Sequence, residues 1–217
     1  MRTAYPPRRD VTPRPRLGSA TLALAVAAGL AIGAATLLFQ KLLPGAWNHL
    51  ANSGAVWVAG AFAFTAWRAR HPKEGAILGV LVLIGAVVGY YGSAMLTGVQ
   101  DVTALRGPAI WSGVALVAGP VFGVAGFAYR RGPAVVRVVA VALLAGLFIA
   151  EALYLLAEFS YLAEAVVTGA IGLGIPFALG RSDVERRWTA GAAGLVGGAL
   201  LVVLFAVSAI VDALFLA

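Results

Sequence analysis

The chain contains no cysteine, which excludes disulfides, thiolate metal sites and thiol nucleophiles. Histidine is almost absent. His49 and His71 stand far apart and outside the apolar runs, so there is no histidine cluster for zinc or di-iron and no evident base for a Ser/His dyad. The only lysines are Lys41 and Lys73, so the last apolar segment has no residue to carry a retinal Schiff base. The four aspartates, Asp10, Asp101, Asp183 and Asp212, are isolated, and the paired magnesium motifs that ionise a diphosphate are missing. Charge as a whole is scarce: 12% of 217 residues are charged and 61% are hydrophobic, with a mean hydropathy of +0.93. A soluble domain carries about 25% charged residues, so an integral membrane protein that needs no metal or cofactor is expected.

Apolar runs of membrane-spanning length fill most of the chain. Seven can be read, at about 18–40, 53–67, 75–96, 108–129, 134–157, 161–180 and 189–214. The second is short and is expected to gain a turn from Leu50 to Asn52. These runs are continuous and rich in Ala, Leu, Val and Gly rather than alternating, so helices are expected and not a barrel. The expected architecture is an all-α bundle of seven transmembrane helices over residues 18–217, preceded by a disordered basic, proline-rich tail over residues 1–17. The first run is too long for a signal peptide's apolar core and reads as a retained anchor.

The net charge of +7 follows from topology. Fourteen of the sixteen basic residues fall in the tail or in alternate loops, around Arg68–Lys73, Arg130–Arg137 and Arg181–Arg187; only Lys41 and Arg106 fall on the opposite side. The positive-inside rule therefore places the N-terminus in the cytoplasm and the C-terminus outside, in the cytoplasmic membrane. Attraction to anionic membrane lipid follows, and no nucleic-acid motif is present. A weak internal echo relates residues 53–60 to residues 112–119 and suggests one helix followed by three similar hairpins. Gly119, Gly123, Gly126, Gly194, Gly197 and Gly198 would let helices pack closely.

Acids and aromatics collect toward the outer leaflet. Glu151, Tyr154 and Glu158 share one helix face, with Glu164 about a turn into the sixth run and Asp212 near the end of the last. An ionised carboxylate at the depth of Glu151 is costly with no basic partner, so a neutral acid is expected there unless another group donates to it. Trp57, Tyr90, Tyr91, Trp111 and Tyr154 form the expected wall of an internal pocket whose faces can steady a cation, with His49, Asn52 and Ser53 at its rim.

The chemistry left by these exclusions is acid-initiated: a carboxylic acid protonates a lipophilic prenylated molecule, aromatic faces stabilise the carbocation, and a base removes a proton. This is the chemistry of a type II terpene cyclase. Glu151 is the expected acid, and Glu158, Glu164 and Asp212 are its candidate partners or terminal bases. The expected substrate-binding residues are Trp57, Tyr90, Tyr91, Trp111, Tyr154 and Asn52. Two other readings are a small proton-coupled transporter, with Pro120 and Pro176 as hinges, and a non-catalytic membrane partner whose acids join helices.

The stretch from Leu43-Pro-Gly-Ala-Trp-Asn-His to Trp57, then Gly89-Tyr-Tyr91, then Trp111 through Ala118-Gly-Pro120 and Gly123, resembles a family of small actinobacterial multi-pass membrane proteins of unknown function. In size, span number and embedded acids the chain is also similar to the compact membrane-bound terpene cyclases of indole-terpenoid and meroterpenoid pathways. That likeness implies an intramembrane acid pair that protonates an olefin or epoxide, with Glu151 as one member.

Overall fold

A computed structural model describes residues 17–101 and 103–215. The expected tail lies outside these residues apart from Leu17. Among the described residues there is no strand, and the helices are α1 (Ser19–Leu42), α2 (Ala46–Ala51), α3 (Gly54–Arg68), α4 (Pro72–Leu96), α5 (Arg106–Arg131), α6 (Ala134–Phe159), α7 (Leu162–Leu179) and α8 (Asp183–Phe215). Six of them, all but α2 and α3, are long and apolar enough to cross a membrane.

Local chemistry sets the helix starts. Pro72 opens α4 at a position where its missing N–H is no loss, and Glu74 reaches back to accept the Arg70 N–H at 2.7 Å. At α8 the Ser182 hydroxyl accepts the Glu185 N–H at 3.2 Å, while Glu185 takes the Arg181 N–H and pairs with Arg137 of α6. Ser53 starts α3 in the same way, accepting the Val56 N–H at 3.3 Å.

That start corrects the expected second span. Leu50 does not extend it: Leu50 and Ala51 belong to α2, Asn52 and Ser53 separate the two helices, and α3 has only 15 residues. Such a helix is about 22 Å long against a hydrocarbon core of about 30 Å. Its first residue, Gly54, faces Trp111, the sixth residue of α5, so its first turn is sunk below the start of that neighbour.

Close contacts between glycines and facing backbone give the helix directions. Gly29 of α1 lies against Val82 and Gly85 of α4, and Gly33 against Ala86 and Tyr90, so α1 and α4 are parallel. Gly75 meets Gly123 and Gly79 meets Gly119, so α4 and α5 are antiparallel. Gly126 packs on Phe62 and Thr65, and Gly54 faces Trp111, so α3 runs with α5. Arg137 pairs with Glu185 and Tyr154 with Ser208, which makes α6 and α8 parallel, whereas Gly172 against Ala145 and Ile149 makes α7 antiparallel to α6. With these directions the described basic clusters gather at one end of the bundle, and Lys41 and Arg106 lie at the other.

The main core lies among α1, α3, α4, α5 and α6, and α8 joins it only at the edge, through Ala193 against Ala142 and Ala145. The suggested hairpin repeat is not reflected in the packing. α4 packs chiefly on α1 and α5, and α8 packs on α6 far more than on α7. Of the small residues expected at interfaces, Gly119, Gly123, Gly126 and Gly197 are in close contacts, but Gly194 and Gly198 face open space on α8.

Candidate functional site

A cavity of about 350 Å³ opens between α2, α3, α4, α5, α6 and α8. This is within the range of small-molecule sites. Its aliphatic wall comes from Val58, Leu83, Val87, Val114, Leu147 and Leu204, and its aromatic faces from Trp57, Trp111, Phe122, Tyr154 and Phe159. Polar groups are few: His49 and Asn52 stand at the α2 side, and Glu151 is the only carboxyl group among the described lining residues.

The short α3 explains where Glu151 sits. A helix start leaves N–H donors that have no partner within the helix. Glu151 stands eight residues before the end of α6, about 12 Å along its axis. There its Oε2 accepts the Ala55 N–H at 2.9 Å, across the interface between α3 and α6. The buried Ser53 hydroxyl, which accepts from Val56, also hydrogen-bonds the Glu151 carboxyl group. Two donors and the positive end of a helix dipole thus converge on this acid. Donation from another group is the exception that the sequence reading left open, and the sunken helix start supplies it.

Trp57 and Trp111 face each other at 5.9 Å between ring centres. Trp57 is almost fully buried, and its indole N–H donates to Thr36 Oγ1 of α1 at 2.9 Å. Trp57→Phe keeps the aromatic face and removes this bond, so a loss of about 1 kcal/mol in unfolding free energy is expected, measured as a lower melting temperature in detergent. Tyr154 lines the cavity while its hydroxyl donates to Ser208 of α8 at 3.1 Å.

The structure brings together six of the sequence-predicted residues, Glu151, Trp57, Trp111, Tyr154, Asn52 and His49. Tyr90 and Tyr91 do not line the cavity. Tyr90 lies behind Trp57, at 5.8 Å, with its hydroxyl turned to Gln40 of α1, and Tyr91 packs edge-on against Tyr90 and over Gly107. The Trp57 indole, which lines the chamber, packs against Tyr90. The three candidate partner acids are also elsewhere. Glu158 is exposed near the end of α6, Glu164 is half-buried in the first turn of α7, and Asp212 is exposed near the end of α8. Glu158 is one full turn closer to the helix end than Tyr154, which carries it out of the chamber although the two share a face.

Sequence reasoning missed Ser53 and Ala55 as partners of Glu151. A signal was present, because Asn52-Ser53-Gly54 is a helix-start pattern inside an apolar stretch. The lower wall, Leu83, Phe122 and Leu147, had no signal, since these residues look like any others in an apolar helix. They lie near the middle of their helices, and the chamber stops there. A second cavity, at the basic end, shares no residue with it.

A model of a family of unknown function, DUF6518, matches residues 12–213. The chain belongs to that family. This agrees with the expected membership in a membrane-protein family without assigned function, and it carries no support for an actinobacterial source or for the likeness to terpene cyclases. No curated protein and no solved structure matches the chain.

Proposed function

We propose that this chain is a membrane-embedded, acid-initiated terpene cyclase in which Glu151 protonates an olefin or epoxide of a lipophilic prenylated molecule held in the chamber. The observation that carries this reading is a single carboxyl group set in an otherwise apolar, aromatic-walled cavity. Oε2 accepts the Ala55 N–H, and the transferable proton is placed on the other oxygen, against the preference of the Ala55 and Ser53 donors for a carboxylate. Transfer to a C=C bond leaves a Glu151 carboxylate and a carbocation, which Trp57, Trp111 and Tyr154 steady. A second C=C bond closes the ring, and with no other carboxyl group in the wall the same Glu151 carboxylate removes the final proton. No atom is gained or lost, so an olefin substrate yields an isomer with one ring more and one double bond fewer.

The chain is further proposed to cross the cytoplasmic membrane seven times, with α3 as the short seventh crossing, the N-terminus inside and the C-terminus outside. The gathering of the basic clusters at one end supports this. Reporter fusions at the two termini are expected to report opposite sides; the same side for both would remove α3 as a crossing. Substrate would then enter from the bilayer at the outer half.

The protein reconstituted in lipid vesicles and supplied with prenylated aromatic and linear polyprenyl substrates tests the function, with product of unchanged mass and altered retention as the expected result. Failure to turn over any of them would end the cyclase reading. A second reading, a small permease for a lipophilic cation, is favoured by the two donors on Glu151, which suit a carboxylate. It requires a route to the basic end, whereas the chamber stops at mid-helix, and Pro120 lies in an unbroken α5 rather than at a hinge.

A further inference from the structure

We propose that the cavity at the basic end is a binding site for a phosphate group. It encloses about 270 Å³ between the starts of α1 and α4 and the ends of α3 and α5, far from Glu151. Three guanidinium-bearing residues, Arg68, Arg70 and Arg131, line it, with a single acid, Glu74. That carboxylate accepts the Arg70 backbone N–H at 2.7 Å, and the three arginines outnumber it in the lining. Among the described residues none of the three arginines pairs with a carboxylate; the ion pairs there are Arg137 with Glu185 and Arg186 with Asp183.

Arg68 is held in place before any ligand arrives. Its Nη2 donates to Thr21 Oγ1 at 3.2 Å, and its guanidinium lies over the Trp67 ring at 5.0 Å from the centre. A fixed planar fork with two further cations beside it matches the geometry and charge of a phosphate oxygen pair. Like charges lining one cavity repel one another, and an anion relieves that repulsion. Trp67 is largely exposed at the helix end, the position of an interfacial anchor, so the pocket sits where lipid headgroups lie. A phosphomonoester lipid headgroup and a soluble phosphate offer the same chemistry.

The full-length protein in neutral detergent tests both sources. Native mass spectrometry would count bound dioleoyl phosphatidic acid against dioleoyl phosphatidylcholine, and a parallel melting series would use inorganic phosphate in millimolar excess. Expected is saturable binding of phosphatidic acid, weakened about ten-fold or more in Arg68→Gln/Arg131→Gln, as the loss of charge-assisted hydrogen bonds predicts. Arg68→Lys keeps the charge and loses the fork, so it should fall between the two and covers the case in which the double variant does not fold. Arg187→Gln removes an exposed charge at the same end outside the pocket and should bind as the wild type does. Stabilisation by inorganic phosphate that the pocket variants abolish would identify a soluble source. The proposal falls if pocket variants and Arg187→Gln behave alike in both arms, or if phosphatidylcholine binds as tightly as phosphatidic acid.

Discussion

Glu151→Gln is expected to lower cyclisation by about 10,000-fold, the upper end of the range for loss of a positioned general acid, because in this reaction proton transfer creates the reactive cation. The substitution is selective. A glutamine carbonyl can still accept the Ala55 N–H, so the sunken start of α3 stays satisfied and the protein should insert and melt close to wild type. Glu151→Ala removes activity and leaves the buried Ala55 N–H and Ser53 hydroxyl without their partner, at a cost of about 1–3 kcal/mol for each unsatisfied group. The pair of variants therefore separates chemistry from capping: Gln loses rate alone, and Ala loses rate and stability. Tyr154→Phe keeps its ring face toward the cavity and loses only the bond to Ser208, so a rate reduction of less than about ten-fold is expected on the scale of one hydrogen bond. Product formation would be followed by chromatography of vesicle extracts. Wild-type turnover by Glu151→Gln would sink the mechanism, since no other carboxyl group lines the chamber among the described residues.

What could be read from the sequence and what could not divides along physical lines. Membrane spans announce themselves because burial in hydrocarbon demands long apolar runs, and six of the seven expected segments are helices of spanning length. Glu151 stood out for the same reason, as the one acid in the run 134–157. Its partners were not legible, because they depend on where α3 begins, and mean hydropathy does not register a two-residue break such as Asn52-Ser53. The aromatic wall was half legible. Depth in the membrane marks Trp57, Trp111, Tyr90 and Tyr91 alike, but which of them meets the chamber depends on helix rotation, and α4 turns its two tyrosines toward α1 and Gly107. Small residues mark possible close approaches without naming the partner helix, which is why Gly194 and Gly198 read like Gly119 and Gly123 yet face open space.

Gly79→Leu is expected to have the largest effect on stability, because the α4–α5 contact it would break is backbone on backbone. A Cβ built at Gly79 would lie 2.1 Å from the Gly119 carbonyl oxygen and 2.9 Å from the Gly123 Cα. Neither atom can swing aside as a side chain would, so the helices must separate along their length. Inserting even one methyl into a well-packed contact costs about 1–3 kcal/mol, which Gly79→Ala should show, and the four added carbons of leucine should exceed it and prevent native packing. Gly194→Ala is the contrast: nothing lies within 4 Å of its Cβ position, so exchanging glycine for alanine within α8 should leave stability unchanged or raise it by up to about 1 kcal/mol. Melting temperature and the midpoint of unfolding in sodium dodecyl sulfate would rank the variants. Leu83 of α4 and Ala115, Ala118 and Phe122 of α5 all line the chamber, so forcing these helices apart should also deform it. Gly79→Ala is accordingly expected to lose both stability and turnover, whereas Glu151→Gln loses turnover alone. Gly79→Leu that melts with the wild type would mean that α4 and α5 do not meet at these glycines.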